Sequence, residues 1–151
     1  MTREPIDAAL FAFFSAVAAG DGSKLFKTAT RKVDTWDQVP PEDCPALLLL
    51  PRTELAVRKK GLPTKWTGEY DLLLYVHTGA QNDPTVVPAQ LLNPLLDAIE
   101  AAIQVDDIAN NAATLGGLVS HCAIEGQIQK FLGSLGDEAT AIVPIQILTS
   151  P

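Results

Sequence analysis

The amino-acid sequence predicts a single α+β domain in which an antiparallel or mixed sheet of about four to five strands packs against two main helices. Apolar residues recur at helical spacing near the N-terminus and again after Pro88. Apolar and polar residues alternate along two other segments, as they do in strands with one solvated face. At 151 residues the chain is long enough for one self-sufficient hydrophobic core. We therefore assign residues 1–151 to one domain.

Each predicted helix carries one apolar stripe. The stripe of the first helix consists of Ile6, Leu10, Phe13, Phe14 and Val17. This helix is expected to end at residues 20–22, where glycine accepts the left-handed conformation that closes many helices. The second helix lies between Pro88 and Ile103. Because Pro94 lacks a backbone donor, we expect the regular part of this helix to begin near Asn93, with Pro94 in its first turn.

The predicted extended segments follow one another along the chain. They are residues 25–33, 46–50, 54–58, 65–77, 118–129 and 139–148. The segment Lys65–His77 is apolar on both faces in its second half, which predicts a central strand that is covered on both sides. Residues 34–45 carry three prolines and four acids, which favour a loop. The last two segments are joined by a short turn at 133–138, and this favours an antiparallel hairpin.

Composition and charge exclude several classes of protein. The chain has 47% hydrophobic and 19% charged residues, as globular proteins do. Its net charge of −7 would repel a phosphate backbone, which argues against general nucleic-acid binding. The apolar run 8–19 resembles a secretory signal, but the two acids and the proline within residues 4–7 favour an amphipathic helix. No segment approaches the roughly 20 apolar residues of a membrane span, so we expect a soluble chain with no membrane partner.

The cysteines and histidines do not form a recognisable reactive centre. Cys44 and Cys122 make no CxxC pair, which predicts free thiols in a reducing cytosol. With His77 and His121 they would complete a Cys₂His₂ set, but the neighbours His121 and Cys122 point to opposite faces of a strand. Ser120 beside His121 lacks the strand–turn–helix elbow of a nucleophilic serine. We therefore predict no metal site, no cofactor, no catalytic residue and no enzymatic activity.

Opposite charges are segregated into two stretches of the chain. Residues 51–65 are basic, with Glu54 as their only acid, and residues 97–107 are acidic without a base. The charged residues concerned are Arg52, Arg58, Lys59, Lys60 and Lys65 in the first stretch and Asp97, Glu100, Asp106 and Asp107 in the second. Such stretches form complementary interfaces with a neighbouring subunit or partner, or are ordinary solvated surface. We take these residues as the candidate interface.

Five segments of the chain resemble one known family. They are PALLLLP at Pro45–Pro51, LLLYV at Leu72–Val76, NPLLDAIEAAI at Asn93–Ile103, TLGGLVSHCAIEGQI at Thr114–Ile128 and EATAIVPIQIL at Glu138–Leu148. In this order they resemble the tail-terminator, or tail-completion, proteins of tailed bacteriophages and prophages. The resemblance covers nearly the whole chain, and it consists of core strands and turns with no catalytic signature.

The resemblance implies a structural virion protein that is made in the host bacterial cytoplasm. Its copies would form a hexameric ring on the head-proximal end of the tail tube, end tube polymerisation and join the tail to the head-completion, or connector, proteins. The implied partners are thus a second copy, the tail tube protein and the connector, with genomic DNA only as cargo in the lumen. An acidic wall suits such a conduit, because like charge does not hold the genome. The alternative is a non-catalytic small-ligand or regulatory binding module of α+β fold.

Overall fold

The computed structural model of the chain describes residues 2–32, 38–81, 84–132 and 137–149. In this part of the chain there are two helices and six strands. In chain order they are α1 (Arg3–Ser15), β1 (Thr28–Thr30), β2 (Ala46–Val57), β3 (Lys65–His77), α2 (Pro88–Ala102), β4 (His121–Ile124), β5 (Gln129–Phe131) and β6 (Glu138–Thr149). The predicted single α+β domain is confirmed, with one strand more than the upper prediction.

The strands form one mixed sheet in the order β1-β2-β3-β6-β4, with β5 also paired to β6. β1 runs parallel to β2, and the other pairs are antiparallel. Because β3 pairs along the whole of β6, both β4 and β5 must lie on the opposite edge of β6. The predicted antiparallel pairing of the last strands is therefore confirmed.

The main core lies between one face of the sheet and the two helices. Alternate residues of β3 and β6 contribute to it, together with the buried side chains of α1 and α2. Its fully buried members include Leu10, Phe14, Leu72, Leu74, Leu92, Ile99 and Ile145. On the other face of the sheet, Leu73 and Tyr75 pack in a second, smaller cluster with Cys44. β3 is therefore covered on both faces in its second half, as its sequence predicts.

β2 is one continuous strand, which corrects the prediction of two separate strands at 46–50 and 54–58. Pro51 lies within it, and the pairing register to β3 shifts between Pro51 and Thr53. Proline is tolerated at sheet edges and bulges, where its missing donor leaves no ladder bond unmade. Here β1 ends its pairing at Leu48, so the far side of β2 at Pro51 is an edge. The proline therefore interrupts the regular ladder without ending the strand.

α2 begins at Pro88, and the prediction that its regular part begins near Asn93 is wrong. Pro88 is the first helical residue, and the Val87 N–H donates to Gln90 Oε1 at 3.1 Å. Pro94 lies inside the helix, where proline costs about 3 kcal/mol. Burial of Leu92, Leu95 and Ile99 stabilises the helix by about 1.5–3 kcal/mol per side chain. The packed stripe thus outweighs the cost of the internal proline.

The predicted strand 118–129 is also wrong as a single element, since it divides into β4 and β5. Between them Gly126 has φ of +116°, and a Cβ at this position would lie 3.3 Å from Pro144 Cγ. Pro144 of β6 faces this break and offers no N–H to an edge strand. The edge of the sheet is therefore interrupted where glycine and proline meet.

Several predicted boundaries differ in smaller ways. α1 ends at Ser15, so Val17 is buried beyond the helix, and the glycine segment 20–22 forms a separate turn. Within the predicted segment 25–33 the strand spans residues 28–30. Residue 33, part of the predicted loop at 34–45 and most of the predicted turn at 133–138 lie outside the described residues. Among the described helices, none combines the length and apolar character needed to cross a membrane.

Candidate assembly surfaces

The basic stretch forms the projecting end of the β2–β3 hairpin, which we call the basic arm (residues 51–65). Every residue from 51 to 63 is exposed. The last described pair between β3 and β6 is Trp66 with Thr149, so the end of the arm, from Val57 to Lys65, extends past the described end of β6. At its tip the Leu62 N–H donates to the Lys59 carbonyl at 3.0 Å, and Gly61 has φ of +80°. Glycine suits this position because a type II turn requires a positive φ there.

The structure brings four of the five predicted basic residues together at the end of the arm. Arg58, Lys59 and Lys60 occupy the tip, and Lys65 pairs across the hairpin with Val57. Among the described residues no carboxylate forms an ion pair with these four cations. Arg52 lies apart from them, with its Nε 3.5 Å from Asp71 Oδ2 at the base of the arm. Unlike Arg52, the cations of the tip are therefore not neutralised by a carboxylate of the described residues.

The arm also exposes apolar side chains that the charge pattern did not reveal. Leu55 is 61% exposed, Leu62 is 59% exposed and Val57 is 44% exposed. Leu55 and Val57 are two residues apart in β2 and so lie on one face of the hairpin. In the sequence they belong to the apolar run Leu55–Val57 between Glu54 and Arg58, and Leu62 is a single apolar residue after Lys59, Lys60 and Gly61. The tip thus combines apolar surface with positive charge.

Helix α1 anchors the base of the arm. Arg3 Nε donates to both carboxylate oxygens of Glu54, at 2.9 and 2.8 Å, and the guanidinium lies 5.2 Å from the centre of the Trp66 ring. Nearby, the Tyr70 hydroxyl donates to Asp7 Oδ1 at 2.6 Å. Burial and this carboxylate raise the pKa of Tyr70, so it remains a donor. These contacts fix the direction in which the hairpin leaves the sheet.

The four predicted acids occupy two different settings. Asp97 and Glu100 are exposed on α2. Asp106 instead organises the loop after the helix, because its carboxylate accepts the Thr114 N–H at 2.5 Å, the Gly116 N–H at 2.8 Å and the Thr114 hydroxyl at 2.8 Å. These hydrogen bonds lower the pKa of Asp106 to about 2. The charge of Asp106 is therefore held in place by its own loop.

Asp107 closes a tight turn at residues 107–112, which we call the Ile108 turn. Its backbone exchanges two 3.0 Å hydrogen bonds with Ala112, and its carboxylate accepts the backbone N–H of Asn110 at 3.2 Å and the side-chain amide at 2.8 Å. Ile108 is 88% exposed at this turn, and the neighbouring Val105 is also exposed. A well-bonded turn thus presents a large apolar side chain to solvent.

The basic arm and the Ile108 turn lie at opposite edges of the sheet. The arm extends from β2, whereas the turn continues into a segment held against β4: the Ala113 N–H donates to His121 Nδ1 at 3.2 Å, and the Cys122 N–H donates to the Ala113 carbonyl at 2.8 Å. β3 and β6 separate β2 from β4, so the two edges are roughly 14 Å apart at ordinary strand spacing. The two surfaces therefore lie at different edges of the sheet.

The surroundings of the cysteines and histidines indicate structural roles for these residues. Cys44 and Cys122 are free, buried and placed in different clusters on opposite faces of the sheet. Burial raises the pKa of the Cys44 thiol to about 11 and that of Cys122 to about 12, so neither is a ready nucleophile. The Nδ1 atoms of His77 and His121 accept backbone N–H groups. Within the described ranges, no group of three or more His, Cys, Asp or Glu residues could hold a metal ion.

One open groove lies on the sheet face opposite the helices, beside the break between β4 and β5. Its volume is about 440 Å³, and its lining includes Arg52, Glu69, Asp71, Glu125 and Gln146. The Arg52–Asp71 ion pair and the hydrogen bond from the Thr53 hydroxyl to Glu69 already satisfy part of this polar surface. A polar small ligand in this groove would contact both positively and negatively charged side chains.

The Asp106 hydrogen bonds predict a specific pH response of the loop. An ordinary aspartate has a pKa of about 3.9, and a folded-state value of about 2 means that the carboxylate stabilises the loop above about pH 4. This stabilisation is lost as the pH falls through about 2. We expect NMR amide shifts of Thr114 and Gly116 to titrate with a midpoint near 2 and to lose this transition in Asp106→Asn. A wild-type midpoint near 3.9 would contradict the bonding described.

The fold and these surfaces define a class of protein: an α+β domain with a basic apolar arm at one sheet edge and an acidic apolar turn at the other. No protein-family model matches the chain, and no curated protein sequence matches it. The proposed function therefore rests on these surfaces and on the resemblance of the five sequence segments to tail-terminator proteins.

Proposed function

We propose that the protein is a structural subunit of a phage tail. Copies form a hexameric ring that caps the head-proximal end of the tail tube, ends its polymerisation and joins it to the head-completion proteins. The subunit is made in the host bacterial cytoplasm and resides in the virion. The observation that carries the proposal is the placement of an unneutralised basic arm and an acidic loop at opposite edges of one sheet.

Opposite placement favours head-to-tail assembly over a two-fold dimer. In a two-fold dimer the contact is reciprocal, so the arm and the turn of one copy, at different sheet edges, would both have to reach the same partner. In a head-to-tail contact the arm of one copy meets the acidic surface of the next, and repetition of the contact closes a ring if its rotation permits. The hexameric number comes from the family resemblance. The net charge of −7 agrees with DNA as passing cargo and not as a bound ligand.

Tube polymerisation in vitro tests this proposal. A phage tail tube protein is polymerised with and without the purified chain, and the products are imaged by electron microscopy. We expect shorter tubes in the presence of the chain, each with a ring of added density at one end. A chain that neither binds tube ends nor changes tube length would contradict the proposal.

The alternative function, a small-ligand or regulatory binding module, has the open groove as its candidate site. The same preparation distinguishes it from the ring. Saturable binding of a polar small molecule, abolished by Arg52→Ala and accompanied by no attachment to tubes, would favour the binding module. Arg52 is suited to this test because it lines the groove and lies apart from the tip of the arm.

A further inference from the structure

We propose that Ile108 of one copy packs against the apolar side chains of the basic arm of the next copy. The arm residues concerned are Leu55, Val57 and Leu62. This inference rests on the proposed ring and identifies the two surfaces that meet in it. It assigns a role to apolar side chains that the charge pattern alone does not include.

The apolar side chains of both surfaces are exposed to solvent. Ile108 and Leu62 are among the most exposed large apolar residues of the described chain, and both lie on hydrogen-bonded turns. Burial of apolar surface contributes about 25 cal/mol per Å², so four such side chains meeting across an interface form a favourable centre. Their turns are already ordered by internal hydrogen bonds. Little conformational entropy is therefore lost when they associate.

The charges that border the two apolar surfaces identify a second copy of the chain as the partner. Ile108 follows Asp106 and Asp107 directly, whereas Leu62 follows Lys59 and Lys60 after a single glycine. Each apolar centre is thus bordered by charges of opposite sign to those around the other. An apolar centre with a charged rim is the usual construction of a specific interface. Both halves of this construction are present on the same chain.

The placement of the two surfaces makes the contact one between copies, with the arm of one copy against the turn of the next. The arm and the Ile108 turn are separated by β3 and β6, and both Ile108 and Leu62 are exposed, so the two surfaces do not meet within one copy. They are also different surfaces, so a pair of copies joined head to tail keeps one free turn and one free arm. The contact therefore propagates from copy to copy, as a ring requires.

Disulfide trapping tests the contact. The double variant Leu62→Cys/Ile108→Cys is oxidised at high protein concentration, alone and with polymerised tubes, and analysed by non-reducing electrophoresis. We expect a ladder of dimers, trimers and larger species that reduction removes. A mixture of the two single variants should give dimers and no larger species, because each copy then carries one reactive end. Each single variant alone should remain monomeric.

A matched control is available on the same sheet edge. Phe131 is 54% exposed on β5, which pairs with β6 about 27 Å from the β4 end at Leu148. The variant Leu62→Cys/Phe131→Cys has the same number of exposed thiols and should give no ladder. Oxidised wild type controls for the native cysteines, which are buried and have raised pKa values. Thermal melting of each variant confirms that it is folded.

The outcomes separate this inference from the proposed function. Dimers formed by Leu62→Cys alone would mean that arms pair with arms, and this would overturn the contact. Absence of a ladder in the double variant, with and without tubes, would also overturn it, even if the wild type caps tubes. A ladder formed by a chain that ignores tubes would support the contact and reject the tail-capping function.

Discussion

We expect deletion of residues 139–151, which removes β6, to abolish soluble expression of the chain. β6 pairs with β3 along its whole length on one side and with β4 and β5 on the other. Its alternate residues Ala139, Ala141, Val143, Ile145 and Ile147 all lie in the main core. Without it β4 and β5 each lose their pairing partner in the sheet, and the buried face of β3 loses its neighbour. Expression and fractionation of the truncated chain measure the effect directly.

A single substitution gives a graded version of the same prediction. Ile145 is almost fully buried, and Ile145→Ala should lower the free energy of unfolding by about 2–5 kcal/mol. This is a large share of the roughly 5–15 kcal/mol typical of a domain. Leu148→Ala on the same strand is the control, because Leu148 is exposed and should cost about 1 kcal/mol or less. Denaturant unfolding measures both changes. A truncated chain that keeps a cooperative transition would show that β6 is dispensable.

The central strands could be predicted from sequence because their side chains alternate over many residues. Lys65–His77 is identical to β3, and the predicted strand 139–148 differs from β6 by one residue at each end. In both strands one face is buried along most of its length, so the hydrophobic pattern and the pairing register agree. The role of a core residue can therefore be predicted from its apolar side chain and its place in the alternating pattern.

The errors of prediction occur mainly at prolines and at the sheet edge. Because proline lacks a donor, the sequence predicts that one strand ends before Pro51 and that the regular helix begins near Pro94. An open edge accommodates Pro51 within β2, and a packed stripe offsets the cost of Pro94 within α2. The division between β4 and β5 depends on Gly126 meeting Pro144, a contact between residues far apart in sequence. Local propensity cannot show which edge is free or which distant residue faces a glycine.

The structure brings only some of the candidate interface residues together. The charges of residues 58–60 and 65 do collect at one tip, but Arg52 lies apart from it, and Asp106 and Asp107 are committed to hydrogen bonds within their loop. The positions of Leu62 and Ile108 on exposed turns depended on backbone geometry that charge counting does not include. The structure therefore adds apolar centres to both charged surfaces.

Charge reversal at the tip of the basic arm should have the largest effect on assembly. In the variant Arg58→Glu/Lys59→Glu/Lys60→Glu an acidic tip would face the acidic surface of the next copy, and the like charges would oppose contact. The three residues are exposed, and exposed charges typically change stability by well under about 1 kcal/mol. We therefore expect unchanged thermal melting together with loss of tube capping, measured as longer and less uniform tubes.

A matched variant separates this local effect from a change in net charge. Lys24, Lys32 and Lys130 are exposed and lie outside the arm, so reversing all three to Glu changes the net charge by the same amount. This control should cap tubes normally. Adding Asp97→Lys and Glu100→Lys to the arm variant should restore part of the capping, because two of the four candidate acids of the next copy are then basic. Capping should also weaken with salt, since exposed charges are screened. Tubes of normal, uniform length made with the arm variant would show that the basic arm is an ordinary solvated hairpin.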